Sequence, residues 1–453
     1  MLDVNGKTAL VVGMAKSGIA CVTLLKDNGA TVYINDSRER DAFSNEDLML
    51  FDTLCDRQFL GTSPMDALDD VDFLVLSPGV PPKKVPFIVE AKKRGIEIIA
   101  EIELGYRASK APLVAITGTN GKTTCTALTG AIFGNTSTKT FVLGNIGTPY
   151  ALMAPETGAD DMVVLEAAAL QLETTVDFRP KASAVLNITE DHLDRFETMD
   201  YYIACKEMIF ANQGDGDYVI LNYDNDITRA MASKHKAKTT WFSRKTVLDF
   251  GAFVRDGKII FKDGDGVTEI CQTSDVYIPG EHNLENALAC TALAFVCGVS
   301  PKVIAHTLKT FKGVEHRIEF VREFNGVKYI NDSKGTNPDA TINAIKAMDR
   351  PTVLILGGYD KKNEFDSLFA AFNQNIKSVV VLGEVKDKLI EAAQKAGFGS
   401  VITADTFEDA VIKARDHAEA GYNVLLSPAC ASYDMFRNFE IRGARFKAIV
   451  NGF

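Results

Sequence analysis

The chain has 453 residues, of which 46% are hydrophobic and 24% charged. That length suggests about three domains, and the composition excludes disorder, collagen-like repeats and a disulfide scaffold. A formal charge of −11 argues against general nucleic-acid binding, which depends on neutralising phosphates. The eight cysteines form no CxxC pair and no zinc spacing, so they read as buried free thiols in a reducing compartment. There is no basic leader and no run of the roughly 20 apolar residues that a membrane span needs. The expected location is the cytoplasm.

In chain order, residues 8–12 read as a buried strand and 17–28 as a helix stopped by Gly29. A second strand at 31–34 ends on Asn35-Asp36, and a third at 73–76 runs into Ser77-Pro78-Gly79. A helix at 87–94 stops at Gly95 before a strand at 97–100. Such alternation predicts a mostly parallel sheet with ligands at the carboxyl ends of its strands. A second unit opens with an apolar strand at 113–117. Strands at 162–166 and 182–187 end on polar residues, and 246–278 holds short β-like runs with Asp-Gly turns, a small antiparallel excursion. An Ala-rich helix at 283–297 follows. Near Gly313 the pattern restarts, with strands at 327–332, 352–356, 377–382 and 423–427 and a helix at 339–348. The expected fold is α/β in three domains: a Rossmann-like domain at 1–102, a central P-loop ATPase-like domain at 103–313 that carries the antiparallel excursion, and a Rossmann-like domain at 314–453.

The strongest local signal is Gly118-Thr119-Asn120-Gly121-Lys122-Thr123-Thr124 between a strand and a helix. Backbone N–H groups converge there on a phosphate, with the helix dipole behind them. Lys122 would reach the outer phosphates and Thr123 would ligate Mg²⁺. The general phosphate loop has a glycine where this chain has Ile116. The turn Gly13-Met-Ala-Lys-Ser-Gly18 has the outer glycines of a dinucleotide fingerprint but Ala15 in the middle place, with Asp36 at the end of the next strand. It is either a nucleotide-diphosphate contact or a plain tight turn. Glu166 ends a strand downstream of the phosphate loop, a usual place for an acid near Mg²⁺. His192, in Asn187-Ile-Thr-Glu-Asp-His-Leu-Asp194, is either a metal ligand or a satisfied loop histidine.

Together, Gly118–Thr124, Gly144-Asn-Ile-Gly-Thr-Pro149, Asn187–Asp194, His282-Asn-Leu-Glu-Asn-Ala-Leu-Ala289 and His316-Arg317 resemble the Mur ligases of peptidoglycan synthesis. Asn331-Asp-Ser-Lys-Gly-Thr-Asn337 and Ser427-Pro-Ala-Cys-Ala-Ser-Tyr-Asp-Met-Phe-Arg-Asn-Phe-Glu-Ile-Arg-Gly443 resemble the branch of that family that adds D-glutamate. The resemblance spans all three domains. It implies ATP-dependent amide-bond formation between D-glutamate and UDP-N-acetylmuramoyl-L-alanine, with Mg²⁺, in a cytoplasmic monomer.

The resemblance also implies roles for individual residues. Ser17, Asp36, Ser37, Arg38, Ser77, Gly79, Asn145 and His192 would contact the UDP substrate. The phosphate loop, Asn286, Arg317 and Asp332 would bind ATP. Lys334, Thr336, Lys361, Ser432 and Phe439 would bind D-glutamate. Mg²⁺ would be held by Thr123, Glu166, His192 and Lys206, the last as a CO₂-derived carbamate. Lys122, Glu166, His192, Lys206 and Arg317 would be catalytic. From the sequence alone, Lys206 is an ordinary solvated helix lysine. One stretch departs from the family pattern: Glu166-Ala-Ala-Ala-Leu-Gln-Leu172 lacks two serines and an aromatic residue. The rival readings are a different Mur-type or folylpolyglutamate-type ligase, an NAD(P)-dependent oxidoreductase built on the Gly13–Gly18 turn, and a nucleotide-binding regulator without catalysis.

Overall fold

Apolar runs without polar alternation are stable only when both faces are covered, which is the setting of an interior parallel strand. Leu113–Thr117 and Thr352–Gly357 are such runs, and both are buried at every position. The computed structural model describes the chain apart from residues 1, 146, 192, 265, 361 and 362. It divides into two compact units, Met1–Phe311 and Lys312–Phe453. Among the described residues no helix is long and apolar enough to cross a membrane.

The first unit contains two sheets. One is wholly parallel, in the order Arg57–Leu60, Thr31–Asp36, Thr8–Val12, Phe73–Leu76, Glu97–Ala100. The other has nine strands. Its parallel part runs Thr140–Gly144, Met162–Glu166, Leu113–Thr117, Ala182–Val185, Tyr218–Asn222, Lys238–Ser243. The segment expected as a small excursion is antiparallel within itself, over Phe250–Arg255, Lys258–Asp263 and Gly266–Gln272. It is not a separate piece, because Phe250–Arg255 pairs parallel with Lys238–Ser243 and continues the central sheet. Gly251 lies opposite Trp241 in that pairing, and a Cβ there would sit 1.9 Å from the Trp241 carbonyl oxygen. Only glycine permits this approach.

The expected 102/103 boundary falls inside the helix Glu101–Ala108. This helix explains why both sheets share one compact unit. Its two buried acids reach into the central domain: Glu101 accepts from the Ala151 N–H at 2.8 Å, and Glu103 accepts from the N–H groups of Val176, Asp177 and Phe178 at 2.9–3.0 Å. Arg107 pairs with Glu103, Glu97 and Asp177.

The second unit has one six-stranded sheet, in the order Glu319–Phe324, Val327–Asn331, Asn423–Leu426, Thr352–Gly357, Ile376–Leu382, Val401–Thr403. Only the first pair is antiparallel. In both units the polar residues that end the parallel strands gather on the carboxyl edge, where open α/β sheets bind ligands.

Glu101 yields a test of the joint between the sheets. Burial pushes its carboxyl up from 4.5 to about 7, more than the Ala151 and Tyr150 N–H groups pull it down. The folded state therefore holds this proton more tightly than the unfolded state. The contribution is complete below about pH 4.5 and is lost as pH rises through about 7. Glu101→Gln keeps an acceptor for Ala151 and removes the titration. Its stability relative to the parent should rise by about 2–3 kcal/mol between pH 5 and pH 8, read by urea unfolding. A constant difference would show that Glu101 ionises normally.

Candidate active site

Parallel register sets Ile116 beside Glu166 and Thr117 beside Val185, so three strand ends lie side by side. The phosphate loop leaves the middle one. Gly121 has φ +85°, and a Cβ there would meet Asn286 Oδ1 at 2.5 Å, so the loop can pass only as glycine. Asn187, at the end of the neighbouring strand, grips the loop from one side. Its Oδ1 accepts from the Asn120 N–H at 2.8 Å, its Nδ2 donates to the Asn120 carbonyl, and its own carbonyl accepts from the Thr119 N–H. Thr119 Oγ1 adds contacts to Thr189 and to the Tyr202 hydroxyl. Thr123 and Thr124 are buried in the first turn of the helix Lys122–Gly134. Asn286 donates to Asn283 and accepts from the Cys125 thiol.

Two ammonium groups converge on one carbonyl. Lys122 Nζ donates to Gly118 O at 2.9 Å and to Thr119 O at 2.8 Å, and Lys206 Nζ donates to the same Gly118 O at 2.8 Å. Lys206 is 1% exposed and is not the solvated lysine its sequence setting suggests. Burial lowers its proton affinity well below the usual lysine range. The Lys122 charge lowers it further, while Asp191 and Cys205 oppose the shift. Glu166, also 1% exposed, accepts from Asn145 Nδ2 at 2.8 Å through Oε1, while its Oε2 is sealed from solvent with no hydrogen-bond partner. A buried carboxylate oxygen left without a donor is costly. A hard divalent cation would remove that cost, so the Glu166 carboxylate fits Mg²⁺. His192 lies outside the described residues.

At the carboxyl edge of the first sheet, Asp36, Arg38 and Ser77 come together around the Gly13 turn, and Ser17, Ser37 and Gly79 are their neighbours in the chain. Ser77 Oγ donates to Gly13 O at 2.6 Å. Asp36 is occupied internally: Oδ2 accepts from the Met14 N–H and an Arg38 guanidinium nitrogen, and Oδ1 accepts from the Arg38 N–H and Nε, all at 2.7–3.0 Å. Burial raises its carboxyl, but these four donors outweigh that and leave it below the usual carboxylate range. Because the four bonds fill its lone pairs, Asp36 in this state shapes the turn, and a ribose contact would have to displace one of them. Arg38 also lies over the Phe43 ring at 4.2 Å.

In the second unit, Arg317, Asp332, Lys334, Thr336, Ser432 and Phe439 lie at the carboxyl edge of the sheet, and Lys361 lies outside the described residues. Asp332 is buried. It accepts from Ser427 Oγ at 2.6 Å and the Ile318 N–H at 3.2 Å, and burial lifts its carboxyl to about 6. Ser432 is buried, and its Oγ has no partner. Lys334 Nζ stands 5.8 Å from the centre of the Phe439 ring.

Two residues escaped the sequence reading. Asn187 was visible only as part of a motif. Arg442 was visible only inside the 427–443 motif, with no role of its own. It is in fact 1% exposed and donates to Ser333 Oγ, Ser333 O, Cys430 O and Ala431 O. It thereby ties the 331–337 motif to the 427–443 motif. Burial lowers its proton affinity to about 10, and it remains charged at neutral pH.

Comparison with known proteins follows this geometry. Residues 7–100 match the family described as Mur ligase MurD-like, N-terminal domain; 116–294 match the Mur ligase middle domain; and 316–430 match the Mur ligase, glutamate ligase domain. The chain belongs to the Mur ligase family. It is 49% identical over 452 residues to the UDP-N-acetylmuramoylalanine–D-glutamate ligase of Alkaliphilus oremlandii and 47% identical over 451 residues to that of a Thermoanaerobacter species, covering 99% of each partner and of itself. The crystal structure of UDP-N-acetylmuramate-alanine ligase from Thermotoga maritima has a similar fold, with a TM-score of 0.62 at 20% identity over 98% of this chain and 99% of that one. The three-domain α/β architecture is shared with such structures.

Two tests follow from the site. If Glu166 holds Mg²⁺, adding Mg²⁺ with ADP should raise Tm beyond ADP alone, and Glu166→Gln should lose that increment while keeping the increment from ADP. An equal Mg²⁺ increment in both proteins would remove Glu166 from the metal site. The second test concerns the alanine stretch. Ala168 occupies the N-cap of the short helix Ala169–Leu172 with extended backbone at φ −78°, ψ 155°. This is the geometry in which serine caps, so Ala168→Ser should add about 0.5–1 kcal/mol to stability. A loss of stability would show that alanine is packed too tightly for a hydroxyl.

Proposed function

We propose that this chain joins D-glutamate to the L-alanyl carboxylate of UDP-N-acetylmuramoyl-L-alanine, using ATP and releasing ADP and phosphate, in peptidoglycan precursor synthesis. The observation that carries the reading is identity of 47–49% over 99% of the chain to ligases of that name. The phosphate loop and the sealed Glu166 supply the matching chemistry.

Hydroxide is a poor leaving group, so the carboxylate has to be activated before an amine can displace its oxygen. In this reading a carboxylate oxygen attacks the γ-phosphorus of ATP, and ADP leaves. The D-glutamate nitrogen then attacks the acyl carbon, gives up a proton, and the tetrahedral intermediate expels phosphate. The protein contributes position and charge. The 118–124 backbone and Lys122 hold the outer phosphates against the helix N-terminus. Mg²⁺, which the family uses, neutralises phosphate charge when bound. Thr123, Glu166, His192 and Lys206 are the residues we assign to it.

Asn286, Arg317 and Asp332 are assigned to ATP, and Lys334, Thr336, Lys361, Ser432 and Phe439 to D-glutamate. The residues around the Gly13 turn, with Asn145 and His192, are assigned to the UDP substrate. Domains 1–102, 103–313 and 314–453 would then hold sugar nucleotide, ATP and amino acid respectively. The cytoplasm, where ATP and nucleotide sugars are made, is the location that suits these substrates.

We further read Lys206 as a carbamate. Its nitrogen attacks CO₂, an N–C bond forms, and a proton leaves to water. This step needs a neutral amine, and burial together with Lys122 favours one. The carbamate keeps one N–H, which can still donate to Gly118 O. Its oxygens turn a cation into a hard anionic ligand.

The main test is phosphate release in the presence of UDP-N-acetylmuramoyl-L-alanine. Release should require D-glutamate and should not respond to L-lysine, to diaminopimelate or to a folate substrate. Lys122→Ala should fold normally and lose on the order of 10²-fold or more in kcat. A folded variant with near-parental kcat would defeat the phosphate-loop assignment. For Lys206, ¹³C-bicarbonate should give a carbamate resonance that is absent in Lys206→Arg, and that variant should be nearly inactive. High activity in Lys206→Arg would defeat the carbamate.

A further inference from the structure

The helix Met199–Glu207 carries two consecutive tyrosines that engage different parts of the molecule. Tyr202 is 1% exposed and brings its hydroxyl 3.2 Å from Thr119 Oγ1 on the phosphate loop. One turn further on, Lys206 donates to Gly118 O. Tyr201 faces another way, as successive residues do on a helix. Its hydroxyl donates to Glu173 Oε1 at 2.6 Å, and Lys83 Nζ stands 3.2 Å from the centre of its ring.

Glu173 is the hub of this second side. Its side chain is 2% exposed, and Oε2 accepts from an Arg195 guanidinium nitrogen at 2.5 Å. The same nitrogen reaches the Val80 carbonyl at 3.4 Å. Arg195 Nε is buried with no partner. One carboxylate therefore joins the end of the helix Ala169–Leu172, which follows Glu166, to Arg195 just past the Asn187–Asp194 motif, and to the helix that carries Lys206. Through Val80 and Lys83 the cluster also meets the turn that begins at Ser77–Gly79.

A buried ion pair is a poor stabiliser compared with an apolar contact of the same volume. What it supplies is direction: the carboxylate accepts only along fixed lines, so the helix cannot slide without breaking them. We propose that Glu173, Arg195 and Tyr201 are positioning residues that lock the helix Met199–Glu207 to the Ser77–Lys84 turn, so that a ligand held by that turn orders the phosphate loop through Tyr202 and Lys206. In this proposal the three act through the helix and not by contact with substrate. The inference rests on the reading that this turn holds UDP-N-acetylmuramoyl-L-alanine.

The test measures binding of a non-hydrolysable ATP analogue by calorimetry, with and without saturating UDP-N-acetylmuramoyl-L-alanine. The parent, Tyr201→Phe and Glu173→Gln are compared, and each fold is verified by its melt. In the parent the sugar nucleotide should tighten analogue binding by about 5-fold or more. In both variants each ligand alone should bind within about 2-fold of the parent, the coupling should fall to about one, the KM for ATP at saturating sugar nucleotide should rise about 5-fold, and kcat should drop about 10-fold. Tyr201→Phe removes one oxygen atom and carries the test alone if Glu173→Gln does not fold. Parental coupling and kcat in a folded variant would overturn the proposal, as would a parent in which both ligands bind without coupling. If the sugar nucleotide does not bind the parent at all, the substrate reading fails and the proposal falls with it.

Discussion

The first unit depends on one constraint, the parallel register that sets Leu113–Thr117 between Met162–Glu166 and Ala182–Val185. That pairing puts the start of the phosphate loop, Glu166 and the approach to Asn187 on one edge, because parallel strands all end on the same side. A slip of one residue would turn Glu166 to the opposite face of the sheet. A slip of Ala182–Val185 would instead pull Asn187 away from its two bonds to Asn120. The apolar interior of these strands enforces the register, so core packing and site geometry share one cause.

The electrostatics of the site are local. A chain with a net charge of −11 concentrates Lys122 and Lys206 on the single Gly118 carbonyl, while the Glu166 carboxylate, at the end of an adjacent strand, is sealed from solvent. Like charges this near one another raise the cost of protonating both amines, while a phosphate or a carbamate would relieve it. The loop therefore carries a built-in demand for negative charge, and Glu166 Oε2 carries a matching demand for a cation. ATP with Mg²⁺ would satisfy both.

The second unit solves a different problem, that of holding two loop motifs in a fixed relation at the end of its own sheet. It does so with charges removed from water. Arg442 donates to backbone and hydroxyl oxygens of both motifs, and Asp332 links Ser427 to Ile318. Each buried charge is stabilised by several hydrogen bonds, without which its burial would be prohibitive. The Ser432 hydroxyl, like the Asp434 carboxylate, is buried in this unit with bonding capacity to spare.

The sequence by itself determined the strand and helix order, the phosphate loop and the family, because apolar runs, Gly-rich turns and contiguous motifs are local properties of a chain. It also marked Glu166 and Asp36 as strand-end acids. It could not separate them, since whether a carboxylate is sealed with a spare oxygen or saturated by four donors depends on residues far away in the chain. Lys206 looked solvated, and Arg442 carried no role, because helix periodicity is silent about what later packs over a face. The 246–278 segment was legible as antiparallel, but its parallel pairing with 238–243 was not, because that pairing depends on the close approach at Gly251 and not on any run of residues. Tertiary structure alone decided these points, since burial and hydrogen-bond saturation are set by non-local contacts that no short window of sequence contains.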